Sequence, residues 1–479
     1  MTDGRPVRVP PGAVVRVPPG AVVEVPPGAV VEVPPGAVVE VPPGAVVEVP
    51  PGVVLGVPPG AALGAQPAAV FDVPPIGRNA WLFLGMNALS CLGSGLTMPF
   101  LIVYLHAVRG LSLPTAGFVL AAIGVVGVIA TPLTGPLIDR IGSMRAFMLG
   151  LLVGGIGIAA FTLATTAPSA LAAAVVYGIA SGLMWGGFTT LLTELVPAAE
   201  RGAVFALRYT TANVAFGLGA LVTGFVTVGE TPGPYVAMLL ADALSYVLFA
   251  AALVPLRSTL ITHRARSDSS RSTGGYGPVL RDRALLGALL VNSLLMVFAL
   301  AQTSTTFAAW VTGAGGGNAR IVGLAFVANI TVLVLIQLLA IRFARGRSRL
   351  RGAARAALLF AAAWIVLVLP ATLGLVGIVR AVLTIGSLAI FALGEATLAP
   401  TLPALINDLA PDDLRGRYNA IFSLSNQIGP ILAPALAGLA LGHGLGLPYL
   451  WGLALVCLFT SGLTLCLQRV TPVTADLGA

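Results

Sequence analysis

The sequence predicts an all-α polytopic membrane protein with twelve transmembrane helices. Three observations predict it. Apolar segments of membrane length follow one another from about residue 79 to 468. Only 9% of the residues are charged against 57% hydrophobic, and the mean hydropathy is +0.97. A soluble domain carries about a quarter charged residues, so this much apolar surface must face lipid. Finally, the arginines crowd every second gap between the apolar segments.

The chain opens with a low-complexity tail, residues 1–78. Within it, residues 9–64 repeat Val-Pro-Pro-Gly-Ala-Val-Val-Glu seven times, with Arg16, Gly56 and Gly64 at the drifting last position. Two prolines in eight residues forbid a helix, and Pro-Gly favours a turn in each unit. Three readings stand: a weakly ordered, elastin-like tether, a small stack of β-pairs between Ala-Val-Val-Glu-Val copies, or an expanded repeat without a role. No continuous apolar run follows Asp3 and Arg5, so a cleaved leader is not expected.

The spans follow in order, each long enough for a bilayer, which needs about 20 residues. In the first half they cover 79–106, 114–137, 146–166, 169–196, 203–228 and 234–256. In the second half they cover 284–311, 320–344, 353–374, 377–407, 417–441 and 447–468. The basic loop 257–283 separates two six-helix bundles, 79–256 and 284–468, and residues 469–479 form a tail. One side of the membrane holds Arg140, Arg145, Arg201, Arg208, the arginines from Arg257 to Arg283, those from Arg342 to Arg355, Arg415 and Arg417. The opposite loops hold only Arg109, Arg320 and Arg380. The positive-inside rule makes the crowded side cytoplasmic, with both termini there, in a multi-pass protein of the plasma membrane.

The formal charge of +8 thus serves orientation, and no nucleic-acid partner is expected. All basic residues are arginine, which fits a GC-rich genome. Cys91, Cys457 and Cys466 lie inside apolar segments without metal spacing and read as small apolar fillers. His106, His263 and His443 stand apart from any ligand or nucleophile set. No phosphate-binding glycine loop and no nucleophile or metal constellation points to an enzyme, and neither cofactor nor metal is expected.

The two halves echo each other. Glu200-Arg201-Gly202 precedes span 5, and Leu414-Arg415-Gly416-Arg417 precedes span 11. A loop with Asp139-Arg140 follows span 2, and one with Arg345-Gly346-Arg347 follows span 8. Paired six-helix repeats around a midplane site are a transporter plan.

On these residues the chain resembles the major facilitator superfamily, most closely its bacterial exporter-type members, over roughly residues 79–468. The clearest piece is Gly135-Pro136-Leu137-Ile138-Asp139-Arg140-Ile141-Gly142-Ser143-Met144-Arg145. It matches Gly-x-x-x-Asp-Arg/Lys-x-Gly-x-Arg/Lys-Arg/Lys, except that Met144 replaces a basic residue. Gly135 and Gly142 permit close helix approach and a tight turn. The resemblance implies that Gly135, Asp139, Arg140, Gly142 and Arg145 form a conformational clamp that stabilises the outward-open state, with Arg201 as the partner of Asp139. The family's span-4 arginine is missing from Tyr177-Gly178-Ile179-Ala180-Ser181-Gly182. Its span-5 antiporter pattern is only hinted at by Gly217, Gly219 and Gly224, with Ala220 in place of proline. Gly429-Pro430 and Pro434 indicate a bent span 11.

Charges inside a membrane are costly and default to functional hypotheses. Glu395 lies mid-way along span 10, which lines the central cavity in this family together with spans 1, 4 and 7. It is a candidate for proton coupling or substrate contact, with a structural hydrogen-bond anchor as the alternative. Asp242 lies in span 6, peripheral in the family, where a structural role with Arg208 or Asn213 as partner is expected. Asn87 and Ser90, Tyr177 and Trp185, and Asn292 and Gln302 are neutral cavity candidates that equally suit helix–helix contacts.

The reading is a monomeric secondary transporter that exports a hydrophobic or drug-like small molecule by alternating access, driven by a proton gradient. Few charges on the inner spans favour an apolar or weakly cationic substrate. A solute importer of the same fold and a non-transporting sensor or scaffold that uses the N-terminal repeat are the alternatives.

Overall fold

The computed structural model describes residues 15–16, 39–40, 77–196, 201–227, 231–256, 277, 279–344, 346–411 and 414–477. The chain divides into two units, Met1–Val73 and Pro74–Ala479. In the first, Val15–Arg16 pairs in parallel with Val39–Glu40, with Val15 opposite Val39. These are the same octapeptide position three copies apart, and the pairing spans two residues on each side. The rest of the repeat lies outside the described residues.

The second unit holds twelve helices long and apolar enough to cross a membrane. Span 1 runs from Arg78 to Val108 and span 2 from Leu113 to Ile141. Span 3 is Ser143–Leu163, span 4 Ala167–Leu195, span 5 Arg201–Val226 and span 6 Pro232–Leu253. Span 7 runs from Arg283 to Thr312, span 8 is Ala319–Ala344 and span 9 Arg349–Thr372. Span 10 is Gly377–Leu398, continued by a short helix Leu402–Leu409. Span 11 is Arg415–Gly442 and span 12 Gly446–Leu467. Last comes a single-turn helix, Val473–Leu477.

The packing follows the two-fold echo in the sequence. In the first half span 3 packs on span 4, span 2 on span 4, span 3 on span 6, and span 1 on spans 5 and 6. Each pairing recurs in the second half six spans later. The halves meet along span 2 against span 11 and span 5 against span 8. Helices in lipid gain little from apolar burial and hold together by close packing, so small residues sit at these seams. A Cβ on Gly117 of span 2 would stand 3.0 Å from the Gly438 Cα of span 11. On span 5, a Cβ on Gly224 would stand 3.0 Å from the Gly323 Cα of span 8. Each half also holds an aromatic knot. Phe83, Phe147, Phe188 and Phe249 join spans 1, 3, 4 and 6, and Phe360, Trp364 and Phe391 join spans 9 and 10.

Spans 1 and 7 break at equivalent places, towards the arginine-poor face. Span 1 passes through a 3-10 turn at Met98–Phe100, where Pro99 removes a backbone donor, and a π turn at Tyr104–Val108. Span 7 passes through Leu300–Gln302 and a π turn at Thr303–Phe307. Beyond the breaks the two spans pack against each other, so the halves are joined at the arginine-poor face.

Candidate functional site

The expected loop clamp takes a different form. Span 2 stays helical through Asp139 and Arg140 to Ile141, although Pro132 and Pro136 lie inside it. Thr131 and Thr134 return hydroxyls to the Gly127 and Ala130 carbonyls, and Thr134 also reaches the Gly182 carbonyl of span 4 at 3.2 Å. The turn into span 3 is Gly142 alone, at φ +89°, where a side chain would strain the backbone. Gly135 contradicts the expected close approach: a Cβ there would meet nothing within 4 Å. Asp139, Arg140 and Arg145 are exposed. The Arg201 side chain lies outside the described residues, and with it the proposed pair to Asp139.

The second half shows how such an end is tied. At the start of span 9, Arg349 Nη1 donates to Asp408 Oδ2 at 2.6 Å and to the Ala475 carbonyl at 3.0 Å. Asp476 Oδ1 accepts from the Leu350 amide at 2.9 Å, which satisfies one of the donors a helix start leaves open. Gln468 Nε2 donates to Ser348 Oγ and Asp476 Oδ2. Asp282 caps span 7 through the Ala284 and Leu285 amides and accepts from the Tyr418 hydroxyl of span 11 at 2.8 Å. Sequence reasoning missed Asp282, Asp408 and Asp476. Acids on short connections carry no periodicity, although the Asp-x-Ala-Leu run at 282–285 is a helix-start signal.

Inside the membrane span, Glu395 of span 10 accepts at Oε2 from Asn329 Nδ2 of span 8 at 2.9 Å, and the same amide reaches the Leu388 carbonyl. Gly394 beside it lets the Phe360 ring approach, where a Cβ would stand 2.6 Å from the ring edge. Tyr209 of span 5, in the other half, lies close enough to interact with Glu395 electrostatically. Asn329 escaped the sequence reading, though an amide in an otherwise apolar span is itself a signal.

Asp242 does not pair with Arg208 or Asn213, and that expectation is corrected. It is 0% exposed, and Oδ2 accepts from the Thr97 hydroxyl of span 1 at 2.6 Å while Oδ1 has no partner. The seam between spans 1 and 6 brings Thr97 to it, and the broken backbone of span 1 begins at that residue. Asn213 instead bonds its own helix at the Tyr209 carbonyl. The Arg208 guanidinium lies over the Phe188 ring at 4.2 Å, two turns inside span 5. Next to Asp242, Tyr246 shares hydroxyl contacts with Ser94 and Tyr177 at 3.2 and 3.1 Å.

The neutral candidates divide. Asn292 bonds Ser425 and Asn426 of span 11 at 2.9 and 2.8 Å and so serves as glue. Gln302 is buried, with Nε2 on the Val297 carbonyl freed by the break in span 7 and Oε1 accepting from Thr306. It repairs the helix and does not line a cavity. Asn87 donates to Cys91 at 3.5 Å, and Ser90 and Tyr177 are buried. Trp185 is 57% exposed on span 4. The span-5 glycines serve contact with neighbours: Gly219 faces span 1, Gly217 faces Ile330 and Gly224 faces Gly323. Among the described residues no metal-holding cluster of His, Cys, Asp or Glu occurs. A pocket of about 540 Å³ opens at the arginine-poor face between Val103, His106, Trp310, Gly315, Arg380 and Leu447.

Comparison with known proteins agrees with this geometry. The MFS-type transporter YqjV of Bacillus subtilis is 23% identical over 79% of this chain and 89% of its own length. The quinolone resistance protein NorA of Staphylococcus aureus is 22% identical over 72% of this chain and 86% of its own. Among solved structures, a POT family transporter bound to a thioalcohol-conjugated peptide superposes with a TM-score of 0.67 at 15% identity, over 82% of this chain and 97% of its own. The nucleoside transporter NupG gives 0.62 at 12% identity, over 82% of this chain and 99% of its own. The sequence profile of the Major Facilitator Superfamily matches residues 83–393 and 371–477. Twelve spans in two echoing bundles, with the span 2–3 motif at its expected place, complete the assignment: the chain belongs to the Major Facilitator Superfamily of membrane transporters.

Proposed function

We propose that the chain is a proton-coupled exporter of hydrophobic, drug-like small molecules. It works by alternating access as a monomer in the plasma membrane, with the arginine-rich face and both termini in the cytoplasm. The observation that carries this reading is Glu395. It is a carboxyl in the last turn of the Gly377–Leu398 helix of span 10, before the Leu402–Leu409 continuation, held by one amide, with no cation paired to it among the described residues. A carboxyl so placed is comfortable when neutral and needs water or a partner when charged. Its bond to Asn329 of span 8, the span that packs on span 5 of the other half, lets its protonation bear on how the halves sit together.

The joined arginine-poor ends of spans 1 and 7 fit a state facing the cytoplasm, from which an exporter loads. Efflux as the direction is supported by the likeness to the quinolone resistance protein. In this cycle the Asp139 motif at the cytoplasmic end of span 2 biases the balance of states, with Arg201 as its partner. The test is efflux of a panel of fluorescent hydrophobic dyes from cells that express the chain, comparing wild type with Glu395→Gln, with and without a protonophore. Loss of efflux under both treatments is expected. Efflux that persists in Glu395→Gln but stops with the protonophore moves the coupling site elsewhere. Efflux that ignores the protonophore ends the proton-coupled reading.

A further inference from the structure

Arg208 is a cation inside span 5 that pairs with no acid among the described residues. It sits two turns into span 5, and its flat face lies over the Phe188 ring at 4.2 Å. Its Nε is buried without a hydrogen-bond partner. Among the described residues the one ion pair is Arg349–Asp408, at an end of the second half. Asp242, in span 6 of the same half, accepts from Thr97 and not from Arg208. Both facts are costly. A membrane-embedded charge without a partner is expensive, and so is a buried guanidinium N–H without an acceptor. Each such group in a native structure calls for an explanation, and a ligand that arrives in the transport cycle supplies one.

The surroundings define what that ligand carries. The guanidinium carbon lies over the Phe188 ring, and the Nε–H, buried in this state, has no acceptor. A guanidinium presents donors in a fork that matches a carboxylate. The Asn87 amide and the Cys91 thiol of span 1 lie in the same neighbourhood, and Cys91 is close enough to interact electrostatically with Arg208. Trp185, one turn before Phe188 on span 4, and Tyr209 on span 5 are both partly exposed. Tyr209 in turn leads to Glu395 in the other half.

We propose that Arg208 is the anion-binding residue of the substrate site, and that the substrate is a flat aromatic molecule bearing a carboxylate. This deepens the exporter reading and rests on it only for the direction of transport. It also replaces the expectation of an apolar or weakly cationic substrate, since Arg208 stands two turns inside span 5.

The experiment measures binding and flux separately on the full chain purified into detergent and into liposomes. The probes are a fluoroquinolone with a free carboxylate and its methyl ester, each with wild type, Arg208→Gln and Arg208→Lys. A charge-assisted hydrogen bond is worth about 1.5–3 kcal/mol, so the acid should lose about tenfold to a hundredfold in affinity in Arg208→Gln. The ester should change little, and Arg208→Lys should keep part of the preference for the acid. Monodisperse elution and an unchanged melting temperature identify folded variants, and Arg208→Lys keeps the test open if Arg208→Gln misfolds. Equal binding of acid and ester by wild type overturns the proposal, and so does an equal loss of both in the variants. Selective binding of the acid without flux in liposomes leaves the Arg208 site standing and removes the exporter reading.

Discussion

Replacing Gly438 with alanine should push the protein out of the state closed at the arginine-poor face. Spans 2 and 11 cross there backbone to backbone. A Cβ on Gly438 would stand 2.5 Å from the Leu113 carbonyl oxygen, 3.0 Å from the Gly117 Cα and 3.2 Å from its nitrogen. All three are backbone atoms, so no side chain can swing aside and one of the helices must move. Overpacking of this kind costs about 1–3 kcal/mol. That cost falls on the closed arrangement and is relieved when the halves part at this face. The equilibrium between the two states should therefore shift by about 5-fold to 150-fold. The assay replaces the native cysteines Cys91, Cys457 and Cys466, then adds Ala308→Cys at a fully buried position beyond the break in span 7. Labelling by a membrane-impermeant maleimide reports opening. A rise in rate of at least several-fold over the glycine parent is expected. An unchanged rate in a folded, inserted Gly438→Ala protein would refute the argument that this crossing holds the closed state.

Further outcomes follow from the side-chain geometry. Thr97→Val leaves the buried Asp242 carboxyl without its hydroxyl donor and should destabilise the protein by about 1–3 kcal/mol, read as a lower melting temperature in detergent. An Arg208→Ala, Asp242→Ala double-mutant cycle should show coupling no larger than about 0.5 kcal/mol, because the two groups do not pair; a larger value would restore the pairing the sequence suggested. Asp476→Ala removes the cap on the Leu350 amide and should loosen the end of span 9 by about 0.5–2 kcal/mol, seen as faster amide exchange at its first turn. Asp139→Ala should reduce transport with normal insertion, measured as dye efflux per inserted protein, and full efflux would remove Asp139 from the state balance.

By itself the sequence determined the class, the number of spans and their order. Those follow from the length and apolarity of each segment, which act locally because the bilayer judges each helix alone. The two-fold echo was also legible, in motifs placed six spans apart, and so was the oddity of a glutamate in span 10. Tertiary structure decided the partners. Span boundaries shifted where helices ran into connections, as at Asp139 and Arg140, because the loop signal there was one glycine, Gly142. Gln302 read as a cavity residue until the break in span 7 gave its amide a carbonyl to repair. Asp242 found Thr97 and not Arg208, because the seam between spans 1 and 6 set its neighbour. In a membrane the alphabet of each span is nearly uniform, so residue types fix that a helix crosses but not which face it turns. That choice belongs to the packing of the helices, through glycine seams such as Gly117 against Gly438 and through contacts such as Arg208 over Phe188.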